Sequence, residues 1–254
     1  MLRSCSPDHW TVTRPRIRYD KGQAEDLFWW ETDYVVPYGD SLCYVDSFRG
    51  ILFADILSES PELRYVRLPV KIVTGNPKDR GCPQVYRNVC ATKSGRIMKF
   101  VEVVTTTVFV SGSRSPASSS FTINLWNLRR EGSTVTWEKE GSMKDSELWS
   151  LHGYGDLPRF VPEFPLVSMD EPNIVYFVLS NDDGHSGDLS FIIVVDMLNK
   201  TLRSSSKYTV VNPFDDEDGN MASRNLAANE AFIPCEFSKY LPVAAETRKR
   251  KNRE

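Results

Sequence analysis

Soft metal ligands are scarce in this 254-residue chain. The three histidines, His9, His152 and His185, stand far apart, and the five cysteines, Cys5, Cys43, Cys82, Cys90 and Cys235, never lie closer than eight positions. That spacing holds no CxxC pair and no zinc knuckle. An odd cysteine count without a secretory leader points to reduced thiols that behave as small apolar side chains. No GxSxG elbow, HExxH helix or P-loop occurs, so the usual sequence marks of serine hydrolases, metalloproteases and nucleotide-binding enzymes are missing. Long apolar runs are missing as well. The longest are "IVYFVL" (Ile174 to Leu179) and "FIIVV" (Phe191 to Val195), far short of the roughly 20 residues of a membrane-spanning helix. The opening "MLRSCSPDHW" lacks an apolar stretch of signal-peptide length. The expected location is therefore the cytoplasm or nucleus, off the membrane. Charge of one sign is also lacking: 31 basic residues against 34 acidic give a formal charge of -3. A broad positive field for nucleic acid is absent, and no nucleic acid partner is expected.

What the chain does have is a globular composition, 41% hydrophobic and 26% charged, arranged as short aromatic and β-branched runs between turn residues. In "CYVDSFRGILFADIL" the spacing predicts strands over Leu42 to Asp46 and Ile51 to Ile56, with Gly50 easing the turn. A third strand follows at "LRYVRLPV", with Pro69 ending it at a sheet edge. A second unit runs through "GRIMKFVEVV", "FTINLWNLRR" and "STVTWEKEG". In it Phe121, Ile123 and Leu125 share one strand face by the two-residue period of side chains. Between its first two strands, "SGSRSPASSS" (Ser111 to Ser120) reads as a loop. The third unit, Asn173 to Thr209, contains three strands, including both long apolar runs. Ahead of all three, "WTVTRPRIRYDKG" and "DLFWWETDYVVPYGD" read as the last strands of a further unit, for about three and a half in total. The expected fold is all-β: an antiparallel β-propeller-like ring, incomplete as counted. A β-sandwich gives the same local pattern.

Several segments together resemble a known family. "YGDSLCYVDSFRGILFADILSESPELRYVRLPV", "GRIMKFVEVV", "INLWNLRREGSTVTWEKEGSM", "LPRFVPEFPLVSMDEPNIVYFVL" and "FIIVVDMLNKTL" follow one another in the order found in a plant family, expanded in grasses, called domain of unknown function 1618 (DUF1618). The resemblance covers roughly Trp29 to Tyr208. It implies a propeller related to the kelch-like domains that follow F-boxes, and through that kinship a part in substrate recognition. This chain has no Leu-Pro-rich F-box at its start. The family has no established activity, so the resemblance supplies no catalytic, cofactor-binding or metal-binding residue. Members carry further sequence ahead of the signature. An open ring would leave unpaired strand edges, so self-association through such an edge is expected.

Read as sites, the remaining features are bland. The three histidines sit beside turn residues. "FDDEDGN" (Phe214 to Asn220) puts Phe214 where a calcium loop needs its first carboxylate. The carboxylate pairs Asp145/Glu147 and Glu163/Asp170 would suit a glycosidase, although spacing alone decides nothing. Trp126 and Trp137 fall inside strands and read as packing, whereas adjacent Trp29 and Trp30 leave one ring for contact. The boundaries expected are one domain over 1–240 and a disordered basic tail, 241–254, in which Lys-Arg-Lys could act as an import signal. A stretch from Asn225 to Ala231 has the composition of one or two helical turns. Two functional readings remain: a non-catalytic module that binds a protein partner, with no cofactor and no metal, or a hydrolase or carbohydrate-acting enzyme on the same scaffold.

Overall fold

The computed structural model describes residues 2–6, 9–12, 14–55, 62–71, 81–109, 116–132, 134–180 and 190–208. A short hairpin, β1 (Leu2–Ser6) with β2 (His9–Val12), forms a two-stranded sheet of its own. The first large sheet draws on β3 (Arg16–Arg18), β4 (Tyr34–Tyr38), β5 (Ser41–Asp46), β6 (Gly50–Asp55) and β7 (Glu62–Arg67), in the order β3-β7-β6-β5-β4. As expected, the stretch from Cys43 to Asp55 lies in the middle of this sheet, with Cys43 opposite Phe53 and Asp46 opposite Gly50, while Ile56 and Leu57 lie outside the described residues. The turn between them is held locally, because Asp46 Oδ1 accepts the Phe48 N–H and the Asp46 carbonyl accepts the Arg49 N–H.

Two expectations for this region are corrected. Pro69 does not end an edge strand, since β7 is flanked by β6 and, in parallel, by β3. The stretches ahead of the signature do not make one unit either: Trp10 to Val12 lies in the separate β1–β2 hairpin, and the strands that follow join the first sheet. Tyr34 to Tyr38 is a strand of the first sheet, Arg16 to Arg18 is its outer strand, and "DLF" belongs to a short helix, α1 (Ala24–Phe28). Aromatic content suggested a strand there. The helix forms because it delivers Asp26, which is buried, to Tyr65 and Arg67 on β7.

The second sheet is β8 (Arg87–Thr92), β9 (Ile97–Phe109), β10 (Pro116–Glu131) and β11 (Thr134–Lys144), and the third is β12 (Glu163–Val167), β13 (Ile174–Leu179), β14 (Ser190–Asp196) and β15 (Thr201–Tyr208). In each, consecutive strands pair antiparallel in chain order. Half of the serine-rich loop is strand, because β10 begins at Pro116 and pairs back to Phe109. The five-residue helix α2 (Asp145–Trp149) joins the second and third sheets.

The core lies between sheets rather than inside one. Cys43, Val45 and Ile51 of the first sheet meet Val89, Met98 and Phe100 of the second, with Trp126 and Trp137 packed at the border. On the other face of the second sheet, Phe121, Ile123 and Leu125 pack with Val175, Phe177, Ile193 and Val195 of the third. The second sheet is thus apolar on both faces and sandwiched by its neighbours.

Equivalent turns meet at one end of this stack. Lys93, Ser94 and Gly95 in the β8–β9 turn all have left-handed backbone conformations, at φ 52°, 55° and 76°. This tight turn lets Gly39 N–H, in the β4–β5 turn, donate to the Gly95 carbonyl at 3.0 Å, while Lys93 N–H donates to the Met169 carbonyl after β12 at 2.7 Å. The first strands are tied too, the Val89 N–H donating to the buried Tyr34 hydroxyl at 2.7 Å. Among the described residues no helix is long and apolar enough to cross a membrane.

Candidate functional site

A cleft of about 580 Å³ opens between β3 and β7 of the first sheet and β11 of the second. The loop after β3 contributes Tyr19, Asp20 and Gln23, β7 contributes Arg64, Tyr65 and Arg67, and β11 contributes Val135, Thr136 and Trp137. Arg18 completes one wall and pairs in solvent with Glu62. Tyr19 is half exposed, at 50%.

One side of this cleft rests on a continuous polar chain. Arg67 Nε and Nη2 both donate to Asp26 Oδ2, at 2.8 and 2.6 Å. The Tyr65 hydroxyl lies 3.0 Å from that same carboxylate oxygen and 3.0 Å from the Arg49 carbonyl, so its single proton faces two acceptors. Burial, then the Asp26 charge, pushes the Tyr65 phenol well above its ordinary range, which keeps it a neutral donor. Further in, Arg49 Nη1 meets Asp46 Oδ2 at 3.2 Å, with the two side chains 1% and 0% exposed. The same Asp46 oxygen accepts the Glu31 N–H. An ion pair so thoroughly desolvated survives only because backbone donors satisfy the remaining lone pairs.

A second polar cluster crosses the second sheet. Asn124 Nδ2 donates to Glu102, while Lys139 Nζ and Ser142 Oγ donate to Asn124 Oδ1. Burial raises the Glu102 carboxyl, the Asn124 hydrogen bond opposing it. Buried Lys99 pairs with Glu140. None of these groups lines the cleft. In the third sheet Asp196 repeats the turn device of Asp46: Oδ1 accepts the Asn199 N–H and Oδ2 accepts Arg203 Nη2. Burial alone would raise its pKa, but the hydrogen bonds from Asn199 and Arg203 outweigh it and hold the carboxyl at about 2.

The residues singled out in the sequence are scattered. His152 is exposed in the turn after α2, the side chain of His9 lies outside the described residues, and so does His185. Asp145 accepts the Ser146 N–H, and Glu147 caps the Lys144 N–H and pairs with Lys200, so both stabilise the start of α2. Glu163 accepts from Ser180, and Asp170 sits in the turn following β12. Trp30 stacks edge-on against Tyr65 at 5.9 Å, and Trp29 edge-on against Phe28 at 4.9 Å. The acidic segment 214–220, the stretch 225–231 and the tail 241–254 fall outside the described residues, as do 111–115. Missed in the sequence were Asp26, Arg49, Tyr65 and Arg67. The one signal for them was an Asp closing a strand with an Arg three positions on, which is too common to read alone.

Cys43, Cys82 and Cys90 are thiols rather than disulfides. The side chains of Cys5 and Cys235 lie outside the described residues. Burial pushes Cys43 and Cys90 up to about 12, which leaves almost no thiolate at neutral pH. Iodoacetamide at pH 8 will therefore leave Cys43 and Cys90 unmodified in the native protein and label both in urea, as read by peptide mass mapping. Rapid native labelling at either position would contradict the packing described.

Stacked antiparallel sheets, a core between sheets and a polar-aromatic cleft at their rim define an all-β protein of serially repeated antiparallel sheets. The chain belongs to the family described as Protein of unknown function (DUF1618), whose model matches residues 44–176, just over half of the sequence. No curated protein and no solved structure matches it.

Proposed function

We propose that this chain is a non-catalytic protein-interaction module, a β-propeller-like stack whose recognition surface is the cleft between β7 and β11. The observation that carries the reading is the lining. Arg18, Arg64 and Arg67 stand beside Tyr19, Tyr65 and Trp137, and Arg, Tyr and Trp are the residues that dominate binding energy at protein interfaces. Asp26 holds Arg67 in place before any partner arrives, so little side-chain entropy is lost on binding. The propeller-like reading is supported by the serial sheets and by equivalent turns that meet at one end, as radial repetition requires. A carbohydrate-acting enzyme would call for two carboxylates facing one cleft; among the described residues Asp20 is the single carboxylate in this lining.

The test begins with a protein captured by the purified chain and remeasured with both components pure. Tyr19→Ala combined with Arg18→Ala removes exposed lining without touching the core, and affinity should fall more than about tenfold, the scale of a hot-spot loss. Tyr86→Ala, exposed elsewhere, should bind as the parent does. Equal affinity for the parent and the double variant would sink the cleft as the recognition surface.

A further inference from the structure

The two walls of the cleft differ in chemistry. In the parallel pairing of β3 with β7, Arg16 stands beside Glu62 and Arg18 beside Arg64, and residues so paired, or two apart on one strand, share a face of the sheet. Val66, next on that face, is buried in the apolar cluster against the second sheet, so this row looks toward β11. Three guanidiniums thus stand with one carboxylate along it, in a chain whose formal charge is -3. Across the cleft, Val135 and Trp137 pack, partly buried, against that same cluster, which makes the β11 wall apolar.

We propose that this cleft takes an extended acidic segment of a partner protein, in which Asp or Glu alternates with apolar residues. The assignment rests on the cleft being the recognition surface and adds the chemistry of its occupant. A strand presents successive side chains to opposite sides, so the alternation turns carboxylates to the arginine row and apolar side chains to Val135 and Trp137. The volume fits. About 580 Å³ lies within the roughly 300–1,000 Å³ of sites that enclose a drug-sized ligand, here a few residues of extended chain.

Exchange of one carboxylate for another makes the arginine row available. Arg18 meets Glu62 at 2.6 Å, but their side chains are 69% and 42% exposed, and an ion pair in that much water contributes little. A partner carboxylate therefore replaces Glu62 at Arg18 without stripping a buried charge. Arg18 and Arg64, side by side on neighbouring strands, repel each other, and an anion between them relieves that repulsion. Asp or Glu matches a guanidinium as Glu62 does, whereas a phosphate dianion gains nothing from Val135 and Trp137 opposite.

Fluorescence anisotropy on the full chain, with short labelled peptides, tests the assignment. A peptide of alternating Glu and Val should bind, and one with Lys in place of Glu should bind at least about tenfold more weakly. Arg18→Glu changes a solvent-facing side chain, so the fold should persist. It should weaken binding of the Glu peptide at least about tenfold and strengthen binding of the Lys peptide, an inversion that damage to the fold would not produce. Glu-peptide binding weaker than about 1 mM, equal affinity for the two peptides, an unchanged preference in Arg18→Glu, or tighter binding of a peptide alternating phosphoserine with Val would each overturn the acidic occupant. The variant carrying Tyr19→Ala with Arg18→Ala keeps the two readings apart: if it loses the captured partner while the peptides fail these expectations, the cleft remains the recognition surface and only its acidic occupant is wrong.

Discussion

Asp46→Ala will destabilise the protein by about 3–5 kcal/mol, the cost of removing one member of a buried ion pair. Asp46 and Arg49 are the most fully buried of the charged pairs described. The substitution strips the guanidinium of its carboxylate and also removes the acceptor of the Phe48 and Glu31 N–H groups. Arg49→Ala should cost a similar amount from the other side of the pair. Asp46→Asn keeps an acceptor oxygen for the turn and should lose less. The contrast is Arg129 with Glu138, which pair at 2.7 Å but are both more than half exposed; breaking that pair should cost under about 1 kcal/mol. Urea unfolding of the purified variants measures the series. If Asp46→Ala behaved like the exposed pair, the turn would not be the anchor that its geometry describes.

Gly50→Ala should cost about 3 kcal/mol, the upper part of the range for forcing atoms into a packed interior. A Cβ at this position would lie 2.4 Å from Tyr65 Cε2 and 2.5 Å from the Val66 carbonyl oxygen. The ring could rotate, but the carbonyl belongs to the neighbouring strand of the ladder and cannot move without breaking register with β6. Displacing Tyr65 would also disturb its contacts with the Arg49 carbonyl and Asp26, so the variant should be less stable and should weaken the cleft wall together. Chemical unfolding with near-ultraviolet circular dichroism reads both effects. A variant with parental stability and an unchanged tyrosine signal would show that the first sheet has more room at Gly50 than the close approach allows.

These residues also show where sequence reasoning stops. Ile174 to Leu179 and Phe191 to Val195 were legible as strands because continuous β-branched and aromatic runs of that length have few other uses. Phe121, Ile123 and Leu125 were legible as one face, and all three are buried in the cluster between the second and third sheets. The first strands β8 and β12 were not read. Arg87 and Asn88 make β8 look like loop. Pro165 and the left-handed Phe164 interrupt β12, and Pro165 argues against any strand by local rules. Both strands persist because neighbouring sheets cover them. Little of the candidate cleft was legible. Its lining comes from segments between Arg18 and Trp137, and arginines and tyrosines on strands carry no mark that separates a cleft wall from a solvated face.

The amino-acid sequence determined the class of object: strand after strand, apolar residues at alternate positions, turns at Asp-rich and Gly-rich points, and antiparallel pairing wherever consecutive strands are joined by short connections. Those are local quantities, set by steric period and by side chains a few positions apart. Which strands share a sheet with distant partners was decided only by tertiary structure. The parallel pairing of β3 with β7, the helix that carries Asp26 to Arg67, and the meeting of the Gly39, Gly95 and Met169 backbones at one end of the stack are examples. The physical reason is that each joins groups tens of residues apart, and its free energy appears only once the intervening chain has paid its closure entropy and the sheets have excluded water around the contact.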